Sequence, residues 1–209
     1  MTWTRGFGNA CGWLLDRIVY GLALTRISPN VLTFFGLVIN IAAAFFFGHA
    51  NALNAGRMFF YAGLVIIGAG IFDMVDGRVA RRTNQVTVFG AYFDSVIDRY
   101  SDVVLFFGLL VYYARINHFR YVVLTAFVMV TSLMVSYTRA RAEALIGQCK
   151  VGFMERPERI VLIILGALFQ WAGVMAPVLW VLAVLTTITV IHRIQYTYQH
   201  TKHLAPLNQ

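Results

Sequence analysis

Acidic side chains are scarce in this sequence, nine among 209 residues, and charge of either sign makes up only 12% of the chain. A water-soluble domain carries about 25% charged residues, so an ordinary soluble fold is excluded. A hydrophobic content of 59% and a mean hydropathy of +0.70 place the chain in a bilayer instead. Cysteine is equally sparse: Cys11 and Cys149 are the only two, with no metal-ligand spacing between them. That removes a disulfide scaffold and a thiolate zinc site, and both read as packing residues. Four prolines leave the apolar runs largely unbroken, and two of them, Pro157 and Pro177, stand where helices are expected to begin. The first 25 residues lack the charged start, apolar run and small-residue cleavage site of a signal peptide.

What the sequence does contain is apolar stretches of about 20 residues, the length that crosses a bilayer as a helix. Spans are expected at 31–50, 58–81, 89–114, 119–144, 157–175 and 177–198. Before them, Trp13, Leu14, Ile18 and Leu22 mix with Arg5, Asp16, Arg17 and Arg26, the pattern of an amphipathic helix lying in the interface. The expected fold is an all-α integral membrane protein. A juxtamembrane helix over 1–27 precedes a six-helix domain at 28–200, with a tail at 201–209.

Seventeen basic residues against nine acidic ones leave a net charge of +8. In a soluble chain that excess would suggest nucleic acid; here it is the orientation signal of a membrane protein, and no nucleic-acid partner is expected. Arg5, Arg17, Arg26, Arg78, Arg81, Arg82, Arg139, Arg141, Lys150, Arg156, Arg159, Arg193 and Lys202 fall on the side of the termini. Arg57, Arg115 and Arg120 fall on the other. The bias puts both termini in the cytoplasm of a multi-pass protein, expected in a prokaryotic cytoplasmic membrane.

The few acids are not scattered. Asp73, Asp76, Asp94 and Asp98 hold four of the nine within one stretch flanked by apolar runs. Their three- and four-residue spacings put each pair on one helix face. The short RRTNQVT between them makes spans two and three antiparallel neighbours whose cytoplasmic ends meet. Four unneutralised carboxylates there would repel each other and be costly. Two Mg²⁺ or Mn²⁺ ions remove both costs, since hard cations prefer oxygen ligands and a pair about 3.5–4 Å apart suits such a cluster. The lack of nearby Cys or His speaks against zinc. Metals held by carboxylates clamp phosphates. Gly77 and Gly90 leave room for a ligand against the helix backbone, and Arg81 reaches a phosphate from the same mouth.

These residues carry a family resemblance. The run Asp73-x2-Asp76-Gly77-x2-Ala80-Arg81-x8-Gly90-x3-Asp94-x3-Asp98 resembles, without departure, the eight-position signature of the CDP-alcohol phosphotransferases. The six-span plan is also similar to that family, so the resemblance covers nearly the whole chain. It implies metal-dependent transfer of a substituted phosphate from a CDP-linked lipid, usually CDP-diacylglycerol, to an alcohol, with release of CMP. By the same resemblance Asp73, Asp76, Asp94 and Asp98 bind two divalent metals, and Asp98 also deprotonates the acceptor hydroxyl. Asn30, Val31, Leu32, Thr33, Gly77, Ala80, Arg81, Thr87 and Gly90 form the CDP-donor pocket. Membrane lipids and a second copy of the chain in a homodimer are the other implied partners.

The acceptor is read from a second basic cluster. Arg139, Arg141, Arg156, Arg159 and Arg193 reach the same membrane face, where arginine grips phosphate bidentately. Positive-inside anchoring accounts for their charge equally well. The runs SYTRARAEA and ERPER tip the balance, because they look like the phosphatidylinositol-phosphate synthase branch, in which these positions bind inositol phosphate. Arg139 stands where that branch commonly has lysine, and glycerol 3-phosphate stays open as the alternative acceptor. Asp102 is read as supporting the aspartate face, and Glu143, Glu155 and Glu158 as partners that orient the arginines. Two rivals fit less well. An aromatic-acceptor prenyltransferase would bring more spans and two separated aspartate motifs. A cation transporter would hold its acids near the midplane of broken helices, not at a mouth beside arginines.

Overall fold

The computed structural model of the chain describes residues 28–82 and 86–202, and only the backbone of residues 76–80 and 82. The interfacial helix expected over 1–27 and residues 203–209 of the expected tail lie outside the described residues.

Pro29 opens the first helix, α1 (Pro29–His49), at a position where its missing N–H costs nothing, after extended backbone at Ser28. In the turn that follows, Asn51 Oδ1 accepts from the backbone N–H groups of Leu53 and Asn54 at 2.9 and 3.0 Å. The chain then enters α2 (Ala55–Arg82), whose 28 residues carry the first two aspartates. Thr87 caps α3 (Val88–Arg115) by accepting the Gly90 N–H at 2.9 Å, which satisfies one of the orphan donors of a helix start. Gly147, at φ 79°, stops α4 (Phe119–Ile146). The last two helices are α5 (Arg156–Leu168) and α6 (Met175–Thr201). All described secondary structure is helical.

Five helices match the expected spans to within three residues at either end. The fifth does not. Expected at 157–175, α5 ends at Leu168, and a single 3₁₀ turn at Gln170–Ala172 leads to Gly173 at φ 72°, which redirects the chain into α6. Its 13 residues reach about 20 Å at 1.5 Å each, short of the bilayer's hydrocarbon thickness of about 30 Å. Gln170 is the one polar side chain in an otherwise apolar stretch through the turn, so composition gives little sign of the break. Among the described residues, four helices are long and apolar enough to cross a membrane: α1, the first 21 residues of α2, α4 and α6. In α3, Asp94, Asp98, Arg99 and Asp102 take up the first half and confine the apolar run to the second.

α1 packs on both α2 and α3, α4 packs on α3 and α6, and α5 fits between α2 and α6. The α1–α3 crossing is close: a Cβ placed on Gly108 would lie 2.5 Å from the Ala44 carbonyl oxygen. Phe47, Phe59 and Tyr112 lock the end of the three-helix group remote from the aspartates, with ring centroids 4.8 and 4.7 Å apart. As expected, the acidic ends of α2 and α3 meet, with Asp73 beside Asp94 and Asp98, and α1 packs along both helices. The two acidic faces border a space that α1 and α5 help to enclose.

Candidate active site

Asp73 extends from α2, Asp94 and Asp98 from α3, into that space. Each is half-buried, and one carboxylate oxygen from each lies within 4.8 Å of the other two. The donor set is all oxygen and anionic, which fits a hard divalent cation such as Mg²⁺ or Mn²⁺ and not zinc. Asp76 sits one turn beyond Asp73 on the backbone of α2; its side chain is outside the described atoms.

Arg156, the first residue of α5, projects into the cluster. Its Nη1 is 2.7 Å from Asp98 Oδ1 and 3.5 Å from Asp73 Oδ2. Burial works against its charge, but Asp98, Asp102, Asp73 and Asp94 outweigh that, and its pKa lies above the ordinary arginine value. Behind it, Asp102 Oδ2 accepts from Arg159 Nη2 at 2.6 Å, an ion pair almost wholly removed from solvent.

Two cavities meet at this point. One, of about 530 Å³, is an apolar groove between α1, α2, α3 and α5, lined by residues such as Leu37, Ile67, Met74 and Ile164. The other, of about 500 Å³, is polar and lies between α3, α4, α5 and α6. Five arginines (Arg99, Arg139, Arg156, Arg159 and Arg193) and four carboxylates (Asp98, Asp102, Glu143 and Glu155) line it. Asp98, Arg156 and Pro157 are in the walls of both.

Around the polar cavity, Glu155 Oε1 accepts from Arg139 Nη1 at 2.8 Å and from Arg193 Nη2 at 3.4 Å. Glu143 Oε1 accepts from Arg139 Nε at 2.9 Å, so two of the three expected orienting glutamates have arginine partners. Arg193, 1% exposed, also donates to the Val135 and Val151 carbonyls at 2.5 and 2.8 Å. Gly152 is required beneath it: its φ of 111° suits glycine, and a Cβ there would lie 3.2 Å from Arg193 Nε. Met154 N–H donates to Thr189 Oγ1 at 3.1 Å, completing the attachment of the α4–α5 loop to α6. Cys149 is buried in that loop, in keeping with a packing role.

The donor-pocket residues divide. Asn30 and Gly90 come together across the starts of α1 and α3, since a Cβ on Gly90 would meet Thr87 Oγ1 at 3.0 Å and Asn30 Oδ1 at 3.3 Å. Thr33 lines the apolar groove. Leu32 is buried in the core, whereas Val31 and Arg81 are exposed. Gly77 and Ala80 lie on α2 in the segment described by backbone alone. Arg139, Arg156, Arg159 and Arg193 line the polar cavity together, while Arg141 is exposed outside its lining. Sequence reasoning did not single out Asn40 and Ser101, which line the groove, or Ser95, Arg99 and Ser136 in the polar cavity. Asn40 carried a signal, as the one strongly polar residue in the first span; the serines carried none.

The model of the family described as CDP-alcohol phosphatidyltransferase matches residues 26–190. An archaetidylinositol phosphate synthase of Pyrococcus horikoshii is 37% identical over 192 residues, 91% of this chain and 92% of that protein. The crystal structure of Mycobacterium tuberculosis phosphatidylinositol phosphate synthase with CDP-DAG bound superimposes with a TM-score of 0.82 at 31% identity, covering 93% of this chain and 98% of that one. The same synthase in complex with manganese and citrate gives a TM-score of 0.78 at 33% identity, covering 88% of both chains.

Proposed function

The chain belongs to the CDP-alcohol phosphatidyltransferase family and is a transferase, and we propose that it moves the phosphatidyl group of CDP-diacylglycerol to a hydroxyl of myo-inositol phosphate, releasing CMP. The carrying observation is that one carboxylate, Asp98, lines both an apolar groove and an arginine-rich pocket. A lipid donor suits the first and a phosphorylated alcohol the second. The names of the archaeal and mycobacterial relatives differ in the lipid and share the inositol phosphate, which supports this acceptor.

In this reading Asp73, Asp76, Asp94 and Asp98 hold two Mg²⁺ or Mn²⁺ ions. Bound there, the ions neutralise the donor diphosphate and the charge that develops on departing CMP. Asp98 takes the proton of the attacking hydroxyl, as the member of the aspartate cluster that also lines the acceptor pocket. The joined starts of α1 and α3, with Asn30, Val31, Leu32, Thr33, Thr87 and Gly90, hold the nucleotide with Gly77, Ala80 and Arg81 of α2. The acyl chains follow the groove along Leu37, Ile67 and Ile164. Arg139 and Arg156, with guanidinium surface free, hold the acceptor phosphate; Arg159 and Arg193, 1% exposed and bonded to protein acceptors, shape the field around it. Arg141, expected among these residues, is left out of the set because it is exposed away from the pocket.

The six helices are read as six passes, with the aspartates and both termini in the cytoplasm of a prokaryote, on the support of the basic-residue bias. The working assembly is a homodimer, a reading that rests on family likeness; a single chain by mass photometry in lipid nanodiscs would overturn it. The activity is tested with purified protein, Mg²⁺ or Mn²⁺, CDP-diacylglycerol and separate acceptors, following CMP. Release is expected with inositol 1-phosphate. Release with glycerol 3-phosphate alone would move the acceptor assignment, and no release with any alcohol would end the transferase reading.

A further inference from the structure

The Arg156 guanidinium makes two kinds of contact. Through Nη1 it lies against Asp98 and Asp73, two of the three clustered carboxylates, at 2.7 and 3.5 Å. Through Nε it faces Asp102 Oδ1 at 3.6 Å, too long for a hydrogen bond. Both of those atoms are buried and have no hydrogen-bond partner. Such a pair is costly left open, and a shift of about 0.7 Å would bring it to an ordinary 2.9 Å hydrogen bond. Asp102 itself does not move freely, since its other oxygen is held by Arg159 and its side chain is only 6% exposed.

We propose that Arg156 couples the two halves of the site by exchanging seats, leaving Asp73 and Asp98 for Asp102 as those carboxylates take up a divalent cation. The inference rests on reading Asp73, Asp94 and Asp98 as cation ligands, and it gives Asp102 the role of a positioning residue. A guanidinium and a metal ion compete for the same Asp98 oxygen. Once the charge of Asp73 and Asp98 is taken up by a cation, Asp102 is the strongest remaining attraction for Arg156. Seated there, Arg156 still lines the polar cavity, where its other N–H groups serve a phosphate. A phosphate in that cavity conversely draws Arg156 off Asp98 and opens the cation site. Linkage makes the effect reciprocal: the factor by which phosphate tightens cation binding equals the factor by which the cation tightens phosphate binding.

The test measures Mn²⁺ binding to the purified full chain by electron paramagnetic resonance, with and without inorganic phosphate and without any donor lipid. For the wild type, phosphate is expected to tighten Mn²⁺ binding about fivefold or more. R156Q is expected to bind Mn²⁺ more tightly than the wild type in the absence of phosphate, and to lose most of the phosphate effect. D102N, which takes away the second seat and leaves Arg156 on Asp98, is expected to bind Mn²⁺ more weakly. Shifts in opposite directions are not what general loosening of the fold produces. If D102N does not fold, R156Q decides alone. Equal or weaker Mn²⁺ binding by R156Q overturns the proposal, and so does an undiminished phosphate effect, which would mean that the two ligands touch directly. Either result leaves the transferase reading standing, whereas a wild type that binds no Mn²⁺ removes both.

Discussion

In the proposed reading Asp98 has two tasks, holding charge in the metal cluster and accepting a proton from the alcohol. Replacing it with asparagine keeps the shape and removes both abilities. CMP release is therefore expected to fall by about 10²-fold to 10⁴-fold, the range general-base catalysis supplies, while CDP binding by calorimetry is largely kept. CMP release at the wild-type rate would remove Asp98 as the base. The Asp102–Arg159 pair has a different kind of importance, because both side chains are almost completely buried. Arg159→Met leaves the carboxylate unpaired and is expected to cost about 3–5 kcal/mol of stability, read as a lowered Tm. Adding Asp102→Asn should recover part of that loss, and a double-mutant cycle measures how much. Arg139 lines the polar cavity proposed for the acceptor, held on two edges by Glu143 and Glu155. Arg139→Gln is expected to raise the acceptor KM more than the donor KM. An equal rise in both would place it elsewhere in the cycle.

The helices were largely legible before the structure, because each depends on a local cause: a long apolar run, a Pro at the start, a Gly or polar turn at the end. Where α5 stops was not legible, since Gln170 is the one polar side chain between Phe169 and Val174 and the break lies in backbone angles. The aspartate pairs were placed correctly on their helices and the ends that carry them meet as expected, whereas the place of α1 against both helices was not legible. Which helix touches which depends on small residues whose partners lie far away in sequence. Gly108 is the clearest case, its backbone against that of Ala44. Gly108→Val would push α3 off α1 and is expected to cost about 1–3 kcal/mol or more, seen as a lower Tm together with weaker Mn²⁺ binding, because the two helix starts no longer meet. Unchanged metal affinity would show that the crossing does not govern the site. Arg139, Arg156, Arg159 and Arg193 were singled out by charge and spacing, and they line one cavity. That Arg141 lies outside that cavity needed the turn of α4, and Ser95, Ser101 and Ser136 carried no pattern at all.

For the whole molecule, the division into two cavities around one wall is the main fact. Chelation with EDTA is expected to abolish CMP release, and added Mg²⁺ or Mn²⁺ to restore it; activity that survives exhaustive chelation would contradict the cluster's role. The shared wall of Asp98, Arg156 and Pro157 also has a consequence for fidelity. In the proposed reading it separates a lipid donor in the apolar groove from a polar acceptor in the arginine-lined cavity. Water, at about 55 M in the bulk, is itself a hydroxyl compound, and whatever opens the aqueous side offers it to the donor. The ionic lattice of Arg139, Glu143, Glu155 and Arg193 then acts as a filter on which nucleophile gets through. Loosening that lattice should turn a synthase partly into a hydrolase, with CMP appearing when no alcohol is supplied.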